Sequence, residues 1–429
     1  MERVANPEAL ADVRASSVPG ATACRHCGAP LSLTVVDLGK SPLCQTVLTD
    51  EQLEQAEAFY PLHVRACEQC WLVQIPQFVP PEDIFTEYAY FSAYSDSWVE
   101  HARRYVDAMT ERLALGPDSL VVEVASNDGY LLQHFLPKGV PVLGIEPALN
   151  VGDAAVALGV ETVREFFGAD LGRKLAEERR RADLVLGNNV LAQVPDLNSF
   201  VAGIANLLKP TGTATLEFPH LQRLIEGNQF DTIYHEHFGY FSLLAVETIF
   251  AAHGLTIFDV EELWTHGGSL RIYARPAGDT SRPVGERVLA LRKREEEAGY
   301  RDLAFYRRFE EQVRETKRKL LELLTKLKRS GKRIAGYGAP GKGNTLLNYC
   351  GVRGDFLDFT VDRNPYKQGK FLPGTHVPIF APEKIDEAKP DYVLILPWNF
   401  KTEIMTQLAH IKTWGGKFIV PIPEATVVG

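Results

Sequence analysis

Long apolar runs are missing from this chain. Nowhere do about 18 apolar residues follow one another, which excludes a membrane-spanning helix of ordinary length. The opening residues, "MERVANPEALADVRAS", hold no apolar core of the kind found in a secretory leader, so a cytoplasmic chain is expected. A positive balance is missing too: 46 Lys and Arg stand against 55 Asp and Glu, a formal net charge of −9. A general nucleic-acid binder would carry a basic face, so no nucleic-acid partner is expected, although a local basic pocket for phosphates remains open. Cysteine is scarce, with 6 in 429 residues, and four of them stand in two CxxC pairs. In a chain of this size that favours metal over disulfides. What is present is ordinary for a soluble globular protein, with 45% hydrophobic residues. The length exceeds one core, and two or three domains are expected.

After a loose tail over residues 1–20, a first region over 21–82 holds "CRHCG" and "CEQCWLVQ". Cys24, Cys27, Cys67 and Cys70 form two knuckles, each presenting two thiolates to one side, and together they make a tetrahedral set for Zn²⁺. Such a set is coordinatively closed, so the metal would be structural. Cys44 and Cys350 read as packed thiols.

A second region, 83–282, opens on "EYAYFSAYSDSWVEHARRYVDAMTERL", a Tyr-rich stretch leading into a helix. "LVVEVA" is an apolar, β-branched run that reads as a buried parallel strand; "SNDG" is a tight turn and "YLLQHF" begins a helix. Further strands are "PVLGIEP", "ADLVLGNN" and "GTATLEFPH". Strands alternating with helices imply an α/β, doubly wound parallel sheet with its ligand at the carboxyl ends of the strands. Glu123, Ser126, Asn127, Gly129, Glu146, Asn188 and Asn189 fall there and are the candidate cofactor contacts. Glu146, ending the second strand, is placed to bind ribose hydroxyls. The ligand is a dinucleotide or S-adenosylmethionine. "VASNDG" lacks two of the glycines that a pyrophosphate needs, and its acidic, polar turn suits the amino acid and sulfonium of S-adenosylmethionine better.

The third region, 283–429, begins with a charged stretch in which Phe305, Phe309, Val313, Leu320, Leu324 and Leu327 recur near helical spacing, a core stripe under a solvated face. "RIAGYGA" then runs into a Gly-rich turn, and "GKGNTLLNYC" opens a helix. Gly336, Gly338 and Gly341 fit G-x-G-x-x-G, with Asp362 spaced as a ribose carboxylate; the same residues nearly fit a P-loop, but Gly343 stands where Ser or Thr should be. Both readings place a phosphate at a helix N-terminus, with Lys342 beside it and Lys367 or Lys370 adding charge. A nucleoside diphosphate is the preferred ligand.

"IYHEHFGYFS", residues 233–242, concentrates Tyr234, His235, Glu236, His237, Tyr240 and Ser242. Its histidines are two apart, not the four of a helical zinc motif. In an extended segment His235 and His237 would share one face and Tyr234 and Glu236 the other. An acid/base site and a polar turn both remain open from these residues alone.

Taken together, the two CxxC knuckles, "VVEVASNDGYLL", "NNVLAQVPD", "TIYHEHFGYFS", "GYGAPGKGNTLLNYCG" and "FTVDRNPYKQGKFLPGTHVPI" resemble the three-domain sugar C-methyltransferases, over about residues 20–429. That family acts on keto deoxysugars carried on a nucleotide, often for antibiotic biosynthesis. The resemblance implies an N-terminal zinc-binding domain, a central Rossmann-like S-adenosylmethionine domain and a C-terminal Rossmann-like α/β domain for the nucleotide sugar. It implies methylation of carbon 3 of a dTDP-4-keto-deoxysugar; the chain is expected to be a monomer. It also implies His237 as the base, Tyr234, Glu236 and Tyr88 around the keto sugar, and Lys342, Asn344, Asp362 and Lys367 as nucleotide-sugar contacts. One departure stands out: Gln193 occupies the place where the family usually has histidine, and a glutamine exchanges no proton at neutral pH. Three rivals are kept. They are a zinc-ribbon methyltransferase on nucleic acid, a nicotinamide oxidoreductase using the 336–341 glycines, and a catalytically silent sugar-binding relative.

Overall fold

A computed structural model describes residues 22–81 and 91–429. The expected tail over 1–20 and Tyr88 lie outside the described residues. The chain divides into two compact units that interleave along the sequence. The first takes the described residues up to Ser32, with Cys67–His220 and Phe238–Arg301; the second takes Leu33–Ala66, Leu221–His237 and Asp302–Gly429. No helix among the described residues is long and apolar enough to cross a membrane.

The first unit is built on a seven-stranded sheet. Its order is Leu255–Leu263, Ser269–Pro276, Leu208–Pro219, Ala182–Asn188, Val121–Val124, Val142–Ile145 and Thr162–Val163. The last five run parallel, and Ser269–Pro276 lies antiparallel to both its neighbours. Val121–Val124 sits inside the sheet and every one of its residues is buried, which is why its sequence does not alternate. All the expected strands form. The helix expected at "YLLQHF" does not: two 3₁₀ turns, Leu132–His134 and Leu136–Lys138, stand there instead. Pro137 offers no N–H to continue a helix, and Gly139, at φ 69°, closes the second turn in a left-handed conformation.

The second unit carries a six-stranded sheet in the order Ile379–Phe380, Thr360–Val361, Ile334–Tyr337, Tyr392–Ile395, Lys417–Val420 and Thr426–Val428, parallel except at the last strand. The segment between the cysteine pairs belongs to this unit, as an antiparallel pair of Leu33–Ser41 with Tyr60–Ala66. The charged stretch ends in a helix, Leu303–Arg329, whose buried stripe is Tyr306, Phe309, Val313, Thr316, Leu320, Leu324 and Leu327. Tyr306 takes the place expected for Phe305, because the stripe advances by three and then four residues from that position.

Two fully buried carboxylates of the first unit, Glu217 and Glu295, are closely paired. Glu217, fully buried, accepts from Arg271 at 2.6 Å, His101 at 2.9 Å and Thr265 at 2.7 Å. Burial alone would raise its carboxyl, but the His101 hydrogen bond and the Arg271 charge hold it at about 2. Glu295, also fully buried, meets His220 Nε2 at 2.8 Å and accepts the amides of Leu243 and Leu244 at 2.8 and 3.0 Å. It thereby caps the helix Leu243–Ala252 from a distant part of the chain. Glu295→Ala leaves two helix-start amides and an imidazole without their acceptor in the dry interior. It is expected to cost about 3 kcal/mol or more of stability, read by chemical denaturation. A loss below about 1 kcal/mol would show that water or a neighbour replaces the carboxylate.

Candidate active site and metal centre

In the first unit the four sulfurs of Cys24, Cys27, Cys67 and Cys70 lie within 4.8 Å of one another, with Cys24–Cys70 and Cys27–Cys67 each at 3.5 Å. A tetrahedral zinc with bonds of about 2.3 Å spaces its sulfurs by about 3.8 Å, so the thiolates fit the ion. Gln74 Nε2 donates to Cys24 Sγ at 3.2 Å and the Gln69 amide to Cys67 Sγ at 3.4 Å, contacts that orient thiolates and ease their charge.

The same unit gathers the expected cofactor residues at the carboxyl ends of its parallel strands. The turn after Val121–Val124 holds Ala125, Asn127 and Gly129 at positive φ. Gly144, on the next strand, lets that turn lie close: a Cβ there would sit 2.5 Å from Ser126 Oγ. Glu146 fixes the turn from below, accepting the Asn127 and Ala148 amides at 2.9 Å each. Asn127 Oδ1 and Asp128 Oδ2 accept the amides of Ser92 and Ala93, both at 2.9 Å. Glu123 is fully buried, and among the described residues both its carboxylate oxygens lack a hydrogen-bond partner, as do Ser126 Oγ and Asp128 Oδ1. Burial, with Asp128 and Glu146 beside it, pushes the Glu123 carboxyl well above the carboxylate range. A buried cluster of unused acceptors fits a ligand that brings donors and positive charge, and the ammonium and sulfonium of S-adenosylmethionine are of that kind. Asn188 Nδ2 reaches Tyr130 Oη at 3.3 Å, and Asn189, at φ 58°, directs Nδ2 toward the His266 ring.

In the second unit "IYHEH" is a turn, not an extended segment. The His237 amide donates to the Tyr234 carbonyl at 2.9 Å, and the two rings lie against each other, tilted by 35°, with centroids 4.1 Å apart. The expected alternation therefore fails: the turn folds Tyr234 and His237 onto one side. His237 Nδ1 meets the Thr232 carbonyl at 3.1 Å, which assigns the proton to Nδ1 and the lone pair to Nε2. Glu236 is buried, and its carboxyl is pushed up to about 7 by that burial, against the charge of Lys367. His235 packs edge-on against Tyr60, with Nε2 3.3 Å from the carbonyls of Tyr60 and Pro61.

The same unit places the Gly-rich loop against this turn. Thr345, on the helix Gly341–Cys350, donates to the Ile233 carbonyl at 3.0 Å, and Cys44 Sγ stands 4.0 Å from Glu236 Oε1 and beside Gly341. No side chain caps the first turn of that helix. Half-buried Lys342 donates to Asn399 at 2.9 Å over the Trp398 ring, and its ammonium is lowered by burial. Asn344 Nδ2 donates to the Cys44 carbonyl. Asp362 accepts the Ala339 amide at 2.6 Å and the Asn364 amide at 2.8 Å, so its carboxylate is committed to its own loop; Lys367 Nζ donates to the Ala339 carbonyl at 2.8 Å.

Family models match the chain in three places: a zinc binding domain over residues 24–85, a methyltransferase domain over 98–260 and a C-methyltransferase C-terminal domain over 264–423. C-methyltransferase NovU of Streptomyces niveus is 38% identical over 405 residues, 94% of this chain and 96% of that protein. The chain belongs to the three-domain C-methyltransferase family. Shorter similarity, 32% over 96 residues, links it to a ubiquinone biosynthesis O-methyltransferase of Rhodopseudomonas palustris, covering 21% of this chain and 36% of that one. A solved S-adenosylmethionine-dependent methyltransferase from Clostridium acetobutylicum superimposes with a TM-score of 0.35 at 13% identity, over 43% of this chain and 94% of that one.

As a member of this family the chain uses S-adenosylmethionine, and its four-cysteine cluster is the structural zinc site. Two groups escaped the sequence reading. Asp231, fully buried, accepts from Trp398 Nε1 at 2.6 Å, and burial raises its carboxyl to about 6. Arg25, inside the first knuckle, hydrogen-bonds two carbonyls. Asp231 stands in no motif, and for Arg25 only its charge between the cysteines of "CRHC" gives a hint.

The raised Glu236 carboxyl links stability to pH. Its protonated form suits the buried turn, so its contribution is full below the ordinary value of 4.5 and is lost as pH rises through about 7. Thermal midpoints at about pH 5 and about pH 8 are expected to fall further for the native chain than for Glu236→Gln. Identical pH slopes in the two proteins would contradict the assignment.

Proposed function

We propose that this C-methyltransferase acts on carbon 3 of a dTDP-linked 4-keto-deoxysugar. The observation that carries the reading is the meeting, within the second unit, of an imidazole-bearing turn and an uncapped helix start behind a Gly-rich loop. One supplies acid/base chemistry and the other amides suited to a diphosphate.

In this reading His237 Nε2 takes the proton from the carbon beside the ketone. The Nδ1–H bond to the Thr232 carbonyl keeps the tautomer that leaves Nε2 basic. The electron pair moves onto the keto oxygen as an enolate, and Tyr234, whose ring lies against His237, brings a hydroxyl donor to the same neighbourhood. Tyr88 would serve the same oxygen. Glu236, with its carboxyl near 7, surrounds the keto sugar or steers the base. Lys342, Asn344 and Lys367 hold the nucleotide side, while Asp362 shapes the loop that receives it. When bound, S-adenosylmethionine supplies an electrophilic methyl group. Glu146 would hold its ribose, and Glu123, Ser126, Asn127, Gly129, Asn188 and Asn189 would line its site. Gln193 takes no part in proton transfer.

His237→Asn keeps a polar group of similar reach and removes the base. Turnover is expected to fall by about 10²–10⁴-fold. Exchange of the carbon-3 proton with deuterated water should slow comparably, while affinity for S-adenosylhomocysteine stays unchanged. Normal exchange without methylation would assign the base to another group.

A further inference from the structure

The residues between Cys24 and Cys27 do more than space the two thiolates. Arg25 directs Nη1 to the Pro195 carbonyl at 2.7 Å and Nη2 to the Ile75 carbonyl at 2.6 Å, with its guanidinium over the Phe238 ring at 5.4 Å. His26 and Asn198 exchange two bonds: Asn198 Nδ2 donates to the His26 carbonyl at 2.8 Å, and its Oδ1 meets His26 Nδ1 at 2.9 Å. Pro195 and Asn198 flank the start of the helix Leu197–Leu207. The loop they end begins at Asn188 and Asn189, where strand Ala182–Asn188 stops. Midway along it, the Ala192 carbonyl accepts the Phe238 amide at 2.6 Å. The loop is thus held by its carbonyls from outside, and one of these holds is a charge-assisted bond from a residue between two thiolates.

We infer that the cysteine knuckle clamps the cofactor-side loop, and that Arg25 and Asn198 are positioning residues for binding of the methyl donor. A closed four-thiolate ion contributes no open coordination site, but it fixes the backbone on both sides of Arg25. A guanidinium fixed in this way spans the carbonyls of Pro195 and Ile75, and Lys, a single point donor, spans only one of them. The loop's two asparagines then keep the orientation that the cofactor meets. This inference rests on the proposed assignment of Asn188 and Asn189 to the cofactor.

The test uses the zinc-loaded full chain and S-adenosylhomocysteine as the probe. Arg25→Ala is expected to keep its full zinc content by elemental analysis while its affinity for the probe, read by calorimetry, falls by roughly tenfold. Amides over residues 190–196 should exchange hydrogen faster, with no change over 334–350, a pattern that a general loss of stability would not produce. Arg25→Lys should recover part of both effects. Retained zinc with unchanged probe affinity overturns the inference. If Arg25→Ala loses zinc or fails to fold, Asn198→Ala decides in its place: weaker probe binding with zinc retained supports the clamp, and normal binding overturns it. Asn189→Ala separates the two readings. Normal affinity there defeats the assignment of the loop to the cofactor, and the inference with it. Weak affinity there beside normal affinity in Arg25→Ala defeats the inference alone.

Discussion

Glu146 accepts the amides of Asn127 and Ala148, and in doing so decides where the chain goes after two adjacent parallel strands end. Parallel strands that turn into helices leave backbone N–H groups pointing into a dry interior, and each needs an acceptor. A carboxylate offers more than one lone pair and binds an amide more tightly than a neutral acceptor does. The second unit solves the same problem with Asp362, which takes the amides of Ala339 and Asn364. Glu295 does so for the helix beginning at Leu243. The turns held by Glu146 and Asp362 each border a place where a ligand is proposed, so the geometry of those places rests on buried carboxylates that never need to touch a reacting atom.

The contrast with Glu123 and Glu236 follows. Glu123 has no hydrogen-bond donor among the described residues, and Glu236 has only a long thiol contact from Cys44 and the charge of Lys367, so both carboxyls rise. A carboxyl that the fold leaves unsatisfied is free to answer a ligand or a proton, whereas one that accepts amides has only its remaining lone pairs to offer. His237 sits between these extremes: one ring nitrogen is committed to the Thr232 carbonyl, which is what leaves the other basic.

Spacing carried most of what could be read in advance. Two CxxC pairs specify a four-thiolate set whatever lies between them, and apolar β-branched runs specify buried parallel strands, so the cysteine cluster and the strand ends were legible from residue types alone. What spacing does not encode is hydrogen bonding at a distance. The turn at Tyr234–His237 closes through one backbone bond, which sequence alternation cannot anticipate, and an extended reading put the two rings on opposite faces. Asp362 stands at the right distance for a ribose, yet its oxygens are taken by its own loop. The contacts of Arg25 and His26 with Pro195 and Asn198 join residues far apart in the chain. The interleaving of segments between the two units is equally invisible to a pass along the sequence, because it depends on which cores the pieces complete.

The central claim is that the chain forms a carbon–carbon bond next to a ketone on a nucleotide-linked sugar. The most direct measurement incubates the zinc-loaded chain with a dTDP-4-keto-deoxysugar and S-adenosylmethionine labelled with ¹³C at its methyl, and reads the product by NMR. The account predicts a labelled methyl bonded to ring carbon 3, with the original proton at that carbon lost. A label on oxygen or nitrogen, or a labelled product only when the nucleotide has been removed from the sugar, would contradict it.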